Sequence, residues 1–165
     1  MSSDAVGWMA ELDPRSRRLV AAFRHAATAL QEERDFGAAV EEDLAGVVGW
    51  GRSRSAVAHF RTLMETIGLH ARREVRFHVP LCPCLGADEA AFIRIHDRVA
   101  AGALAEAEAI AHDMVESHAV MTLLHYASLL SIRCPGGAPA TGMTTKESRT
   151  ASHDAADAPA GGRLH

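Results

Sequence analysis

"LDPRSRRLVAAFRHAATALQ", residues 12–31, has the pattern of a single amphipathic α-helix. Asp13 followed by Pro14 favours a helix start, because an aspartate side chain caps free backbone N–H groups and proline suits the first helical position. Apolar residues then recur at helical spacing: Leu19, Val20, Phe23, Ala26, Ala27 and Leu30. Since Arg24 and His25 fall outside this stripe, we expect both side chains to face solvent.

The same periodicity continues along the chain and predicts further helices. Apolar stripes lie at about residues 35–48, 53–69, 88–102, 104–115 and 118–132. The last of these segments is apolar on nearly every side, as expected of a helix at the centre of a bundle or in contact with a second subunit. We expect it at the centre, with a homodimer formed through residues 118–132 as the alternative.

Composition favours helices over sheets. The chain is 48% hydrophobic but only 5% aromatic, so alanine, leucine and valine must supply most of the buried surface. Alanine has the highest helix propensity, whereas sheets favour β-branched and aromatic residues. The sequence therefore predicts an all-α protein, a single compact bundle of five to six helices.

The ends of the chain differ from its middle. We expect a flexible N-terminal segment over residues 1–11 and a helical domain over residues 12–133. Residues 134–165 are rich in Gly, Ala, Pro, Thr and Ser and have little to bury. Such a composition cannot offset the entropy of ordering, which predicts a disordered C-terminal tail.

"FHVPLCPCLGADEA", residues 77–90, interrupts the helical pattern and predicts an irregular Pro/Cys loop between helices three and four. Pro83 suits the second position of a β-turn, and such a turn would bring the sulfurs of Cys82 and Cys84 to one side. His78 lies four residues before Cys82. Thiolates and imidazole suit Zn²⁺, or Cu(I) where fewer ligands gather.

The hypothesis for the loop is therefore a transition-metal site, with zinc as the candidate ion. Its ligands would be Cys82, Cys84 and His78, with His70 as a further ligand and His118 or His125 as other sources. The alternative is that both cysteines are small buried hydrophobic residues, as free cysteines often are. Tetrahedral zinc sites usually show paired ligands at two places in the chain, and this chain has one such cluster.

Function is predicted only as a class: a small helical binding or accessory protein of the cytoplasm. We identify no signal peptide, membrane span or enzyme motif, and no catalytic residue. A protein partner or a second copy of the chain is the expected partner. The net charge of −4 disfavours nucleic acid, although the arginine-rich segment 50–78 leaves a DNA-binding regulator as another alternative.

Overall fold

The computed structural model describes residues 5–131 of the chain. It contains six α-helices: α1 (Pro14–Gln31), α2 (Phe36–Val48), α3 (Ser53–His70), α4 (Ala87–Ala100), α5 (Leu104–Met114) and α6 (Ser117–Ser131). Every predicted helical segment is a helix, and the long irregular connection falls between α3 and α4. The all-α prediction is confirmed.

The start of α1 follows the sequence pattern. Asp13 accepts hydrogen bonds from the backbone N–H groups of Arg15 (2.9 Å) and Ser16 (3.1 Å), and Pro14 is the first helical residue. The break after α2 is equally local, because Gly49 has a φ of 87°, which favours glycine. A 3₁₀ turn over Trp50–Arg52 then leads into α3.

The core is formed by the apolar stripes of all six helices. α6 packs against α3, α4 and α5, while α1 packs mainly against α2 and also reaches α4. One face of α6 is buried by Ala119, Val120, Leu123, Leu124, Ala127 and Leu130. The opposite face remains outside the bundle and carries Met121, whose side chain is 67% exposed.

Two short strands lie on the bundle and were not predicted. β1 (Ala5–Trp8) pairs antiparallel with β2 (Cys84–Gly86), so that Trp8 lies opposite Cys84. A 3₁₀ turn over Met9–Glu11 follows β1, and the N–H of Met9 donates to the carbonyl of Pro83 at 2.8 Å. Residues 5–11 belong to the segment expected to be flexible, yet they have regular structure paired to the cysteine loop.

One prediction for α1 is wrong. Arg24, expected to face solvent, is fully buried. Its guanidinium reaches a buried carboxylate and two loop carbonyls, so the desolvation of the charge is balanced by hydrogen bonds. The neighbouring His25 is partly exposed, as expected, and its Nδ1 lies 2.8 Å from Oδ2 of Asp43.

Within residues 5–131, no helix is long and apolar enough to cross a bilayer. The tail predicted over residues 134–165 lies outside the described residues, as does the domain end predicted at Arg133.

Candidate functional site

The cysteine loop is anchored from beneath by a buried ion pair. Arg24 donates from Nε to Glu89 Oε1 (2.7 Å) and from Nη2 to Glu89 Oε2 (2.8 Å), and neither side chain is exposed. The same guanidinium donates to the carbonyl oxygens of Cys82 (2.6 Å) and Cys84. The backbone on both sides of Pro83 is therefore fixed by one side chain of α1.

Glu89 ties further parts of the loop to the start of α4. Its carboxylate accepts from the backbone N–H groups of His78 (2.9 Å) and Gly86 (2.8 Å). Burial by itself would raise the pKa of Glu89, but the hydrogen bonds from Arg24 and these two N–H groups outweigh it and leave that pKa below its ordinary value. Glu89 is therefore a charged structural anchor.

Asp88 ties the segment around Arg73 and Arg76 to the start of α4. It accepts two hydrogen bonds from the guanidinium of Arg73 and one from the backbone N–H of Arg76 at 2.8 Å. Burial opposes ionisation here too, yet the bonds from Arg73 and Arg76 leave the pKa of Asp88 below its usual range. Both acids lie in the first turn of α4, and both are buried.

The two loop cysteines are free thiols and partly exposed. A hydrogen bond with the side chain of Cys82 raises the pKa of the Cys84 thiol, together with burial and the nearby charge of the Cys82 side chain. The His78 ring packs against Gly86, about 3.4 Å from where a β-carbon would stand.

The four predicted ligands do not gather at one point. Across residues 5–131, one group of three His, Cys, Asp or Glu side chains brings ligand atoms within 4.8 Å of one another, and it consists of His70, Glu116 and His118. His70 is therefore associated with α6 instead of with Cys82 and Cys84. His78 is outside the group as well.

In the His70–Glu116–His118 cluster, the His118 ring contacts both of the other side chains. His118 Nε2 lies 3.2 Å from His70 Nδ1, and the two rings are nearly perpendicular at a centroid separation of 4.7 Å. His118 Nδ1 lies 3.3 Å from a carboxylate oxygen of Glu116. His70 is partly buried, while Glu116 and His118 are exposed.

Backbone contacts explain why these residues meet. The end of α3 runs beside the connection from α5 to α6, where Ala71 and Val115 form an isolated antiparallel β-bridge. The N–H of Glu116 donates to the carbonyl of His70 at 2.9 Å, and the N–H of Arg72 donates to that of Met114 at 3.1 Å. The position of the cluster is therefore set by main-chain pairing.

Two imidazoles and a carboxylate are a recognised ligand set for divalent transition metals. Zinc sites with three protein ligands use this combination and leave a further position for water or substrate. Two histidines with one carboxylate also suit Fe(II). Neutral imidazoles and an ionised carboxylate are needed for such binding, so proton uptake would weaken it.

Sequence reasoning came close to this cluster without finding it. His70 and His118 were both named as ligand sources, but for the cysteine loop. Glu116 was not among the predicted ligands. The available signal was the spacing Glu116-x-His118 at the start of α6. This spacing places both side chains at the first turn of the helix, beside the C-terminal end of α3.

His96 is a buried titratable residue that the sequence did not indicate. It is fully buried in α4, with its ring 4.6 Å from that of Phe92, and neither ring nitrogen has a hydrogen-bond partner among the described residues. Burial lowers the pKa of His96 to about 3, with a smaller contribution from the charge of Arg15. His96 is therefore neutral in the folded protein.

Two cavities lie beside the loop. One, of about 410 Å³, is mainly apolar and lies between α1, α3 and residues 71–77, with Phe23, Met64 and Phe77 in its wall. The other is an open groove of about 1300 Å³ that includes His78. Neither cavity is lined by His118 or His125.

Several arginines of segment 50–78 have intramolecular roles. Arg73 pairs with Asp88, and Arg72 donates to the carbonyl of His112 at 3.1 Å. The guanidinium of Arg61 lies over the ring of Phe36, 4.4 Å from its centroid. These side chains stabilise the fold, which reduces the number available for contact with phosphate groups.

Comparison of the chain with protein-family models, with curated proteins and with solved structures gives no match. Any statement about function therefore depends on the geometry of the site itself.

Proposed function

We propose that the protein is a small helical metal-binding protein that holds a divalent transition-metal ion, with zinc as the best fit, at His70, Glu116 and His118. The observation that carries the proposal is the convergence of three ligand atoms within 4.8 Å. These ligands come from the end of α3 and the start of α6, which are separated by more than 40 residues of chain.

The site is suited to an exchangeable ion. Glu116 and His118 are exposed, so an ion can enter without opening the core, and three protein ligands leave a coordination position free. An ion bound there would also link α3 to α6 and stabilise the folded state by mass action. We therefore propose an accessory role in the cytoplasm, where a reducing environment would keep the two described thiols free.

Isothermal titration of Zn²⁺ into protein purified without a histidine tag tests the proposal. We expect one ion per chain, and we expect His118→Ala, His70→Ala and Glu116→Gln each to weaken binding by more than about tenfold. The matched control is His112→Ala. His112 and Glu108 both lie in α5 and form an exposed histidine–carboxylate pair outside the proposed site. That variant should bind zinc as the unchanged protein does.

A second comparison separates this site from the cysteine loop. Retained zinc binding in His70→Ala and His118→Ala, with loss in Cys82→Ser and Cys84→Ser, would contradict the proposal and return the zinc ion to the loop. Equal loss in His112→Ala would indicate nonspecific histidine binding and also contradict it. Circular dichroism of each variant checks that the helices remain.

The other two functions considered have less support. Because one face of α6 is occupied by α3, α4 and α5, a homodimer through α6 could use only the outer face, which carries Met121. A DNA-binding regulator would use segment 50–78, where Arg61, Arg72 and Arg73 have intramolecular contacts. Analytical ultracentrifugation tests the dimer, and retention on DNA at low salt tests the regulator.

A further inference from the structure

We propose that Cys82 and Cys84 form a second metal site, independent of the His70–Glu116–His118 cluster, for a soft thiophilic cation of the Cu(I) type. The site consists of two thiol groups separated by one proline, at the surface of the bundle. It does not rest on the zinc proposal, since the two sets of ligands share no residue.

The first argument is the fixed backbone of the loop. Three hydrogen bonds hold its peptide groups: Cys82 N–H to Val79 O at 2.9 Å, Met9 N–H to Pro83 O at 2.8 Å, and Arg24 Nη1 to Cys82 O at 2.6 Å. Arg24 also binds the carbonyl of Cys84. Little loop entropy remains to be lost when an ion draws the sulfurs together, which favours binding.

The second argument is the shared orientation of the two cysteines. The carbonyl oxygens of Cys82 and Cys84 both accept from the Arg24 guanidinium, and both residues are partly exposed. Two sulfur atoms on one side of a turn can reach the same ion from solvent, without rearrangement of the core.

The third argument concerns the class of ion. Among residues 5–131, no His, Asp or Glu joins the two thiols in a group of three within ligand distance, and the carboxylate of Glu89 is occupied by Arg24 and two N–H groups. Zinc prefers four ligands. Thiolates are among the soft ligands that select Cu(I), so a pair of thiols without further ligands suits Cu(I) better than zinc.

The binding step conserves charge and protons. Each thiol gives up its proton and forms one sulfur–copper bond, so one Cu(I) and two thiols yield a bis-thiolate complex with a net charge of −1. Because protons are released, affinity should fall as pH falls.

The test is an anaerobic competition titration, in which the full-length protein takes Cu(I) from a chromogenic Cu(I) chelator. We expect one ion per chain and release of about two protons per ion. Cys82→Ser and Cys84→Ser should each lower the affinity beyond the ~100-fold that supporting residues of a metal site typically contribute. Trp8 lies opposite Cys84, so in Trp50→Phe, which leaves Trp8 as the remaining tryptophan, its fluorescence should change on binding.

Controls separate this site from the other candidates. Cys134→Ser and the pair His70→Ala, His118→Ala should bind Cu(I) as the unchanged chain does, and Cu(I) should protect Cys82 and Cys84 from alkylation as read by peptide mass spectrometry. Unchanged affinity in both loop variants, loss in Cys134→Ser, or alkylation without protection would overturn the proposal. The protection measurement needs no variant, so it holds even if a substitution disturbs the fold.

Discussion

Arg24 of α1 and Glu89 of α4 are joined by two hydrogen bonds of 2.7 and 2.8 Å, and both side chains are completely buried. The pair links two helices that otherwise make limited contact. It also supports the Cys82 and Cys84 carbonyls. Removal of one charge would leave the other desolvated without a counterion.

We therefore expect Glu89→Gln to lower the free energy of unfolding by about 3 kcal/mol or more, because an uncompensated buried charge is strongly destabilising. The matched control is Glu106→Gln, which breaks an exposed pair with Arg98 at 3.1 Å. That change should cost less than about 1 kcal/mol. Urea unfolding of the two variants measures the difference, and equal losses would contradict the role assigned to the buried pair.

Stability should depend on pH through His96. Burial lowers its pKa to about 3 in the folded chain, whereas the ordinary value is 6.5. Below pH 6.5 the unfolded state takes up a proton that the folded state excludes, so this contribution is complete above pH 6.5 and is lost as pH falls towards 3. The expected loss is about 1.4 kcal/mol per pH unit over this range. Urea unfolding between about pH 7.5 and about pH 4.5 gives the slope.

His96→Leu isolates that effect. Leucine fills a similar volume without polar atoms, and an unpaired buried polar group costs about 1–3 kcal/mol. We expect the variant to be more stable than the unchanged chain by about 1 kcal/mol at pH 7, and to have a shallower loss of stability in acid. A variant with the original pH slope would show that another group causes it.

Two glycines should respond in opposite directions to alanine. Gly68 lies within α3, with open space where a β-carbon would stand, so Gly68→Ala should stabilise the protein by about 1 kcal/mol. Gly49 also has open space but a φ of 87°, and Gly49→Ala should destabilise by about 1–2 kcal/mol. Thermal unfolding of the two variants compares helix propensity with backbone strain. A shift of the unfolding midpoint in the same direction for both variants would contradict the prediction.

The helices were predictable because each is encoded locally. Asp13 and Pro14 define the start of α1, and Gly49 defines the end of α2, through interactions within a few residues. The strand β1 was missed since four residues of extended chain have no periodicity of their own. Its pairing with β2 depends on a segment about 80 positions away.

The sites were harder to predict because their contacts are not local. Nothing around Arg24 distinguishes it from the exposed arginines of α1, because its partner Glu89 lies 65 residues further on. His70 was predicted as a ligand of the cysteine loop, but the β-bridge between Ala71 and Val115 brings it to Glu116 and His118 instead. Long-range backbone pairing of that kind has no signal in a single sequence.

The anchoring of the cysteine loop by α1 has a consequence for proteolysis. Leu81 is 96% exposed at the loop surface, which makes the adjoining peptide bonds accessible to a protease. A cut there would separate the chain into one fragment with Arg24 and another with Glu89. Because these residues hold each other in the core, the nicked protein should migrate as a single species on a native gel and come apart only in denaturant.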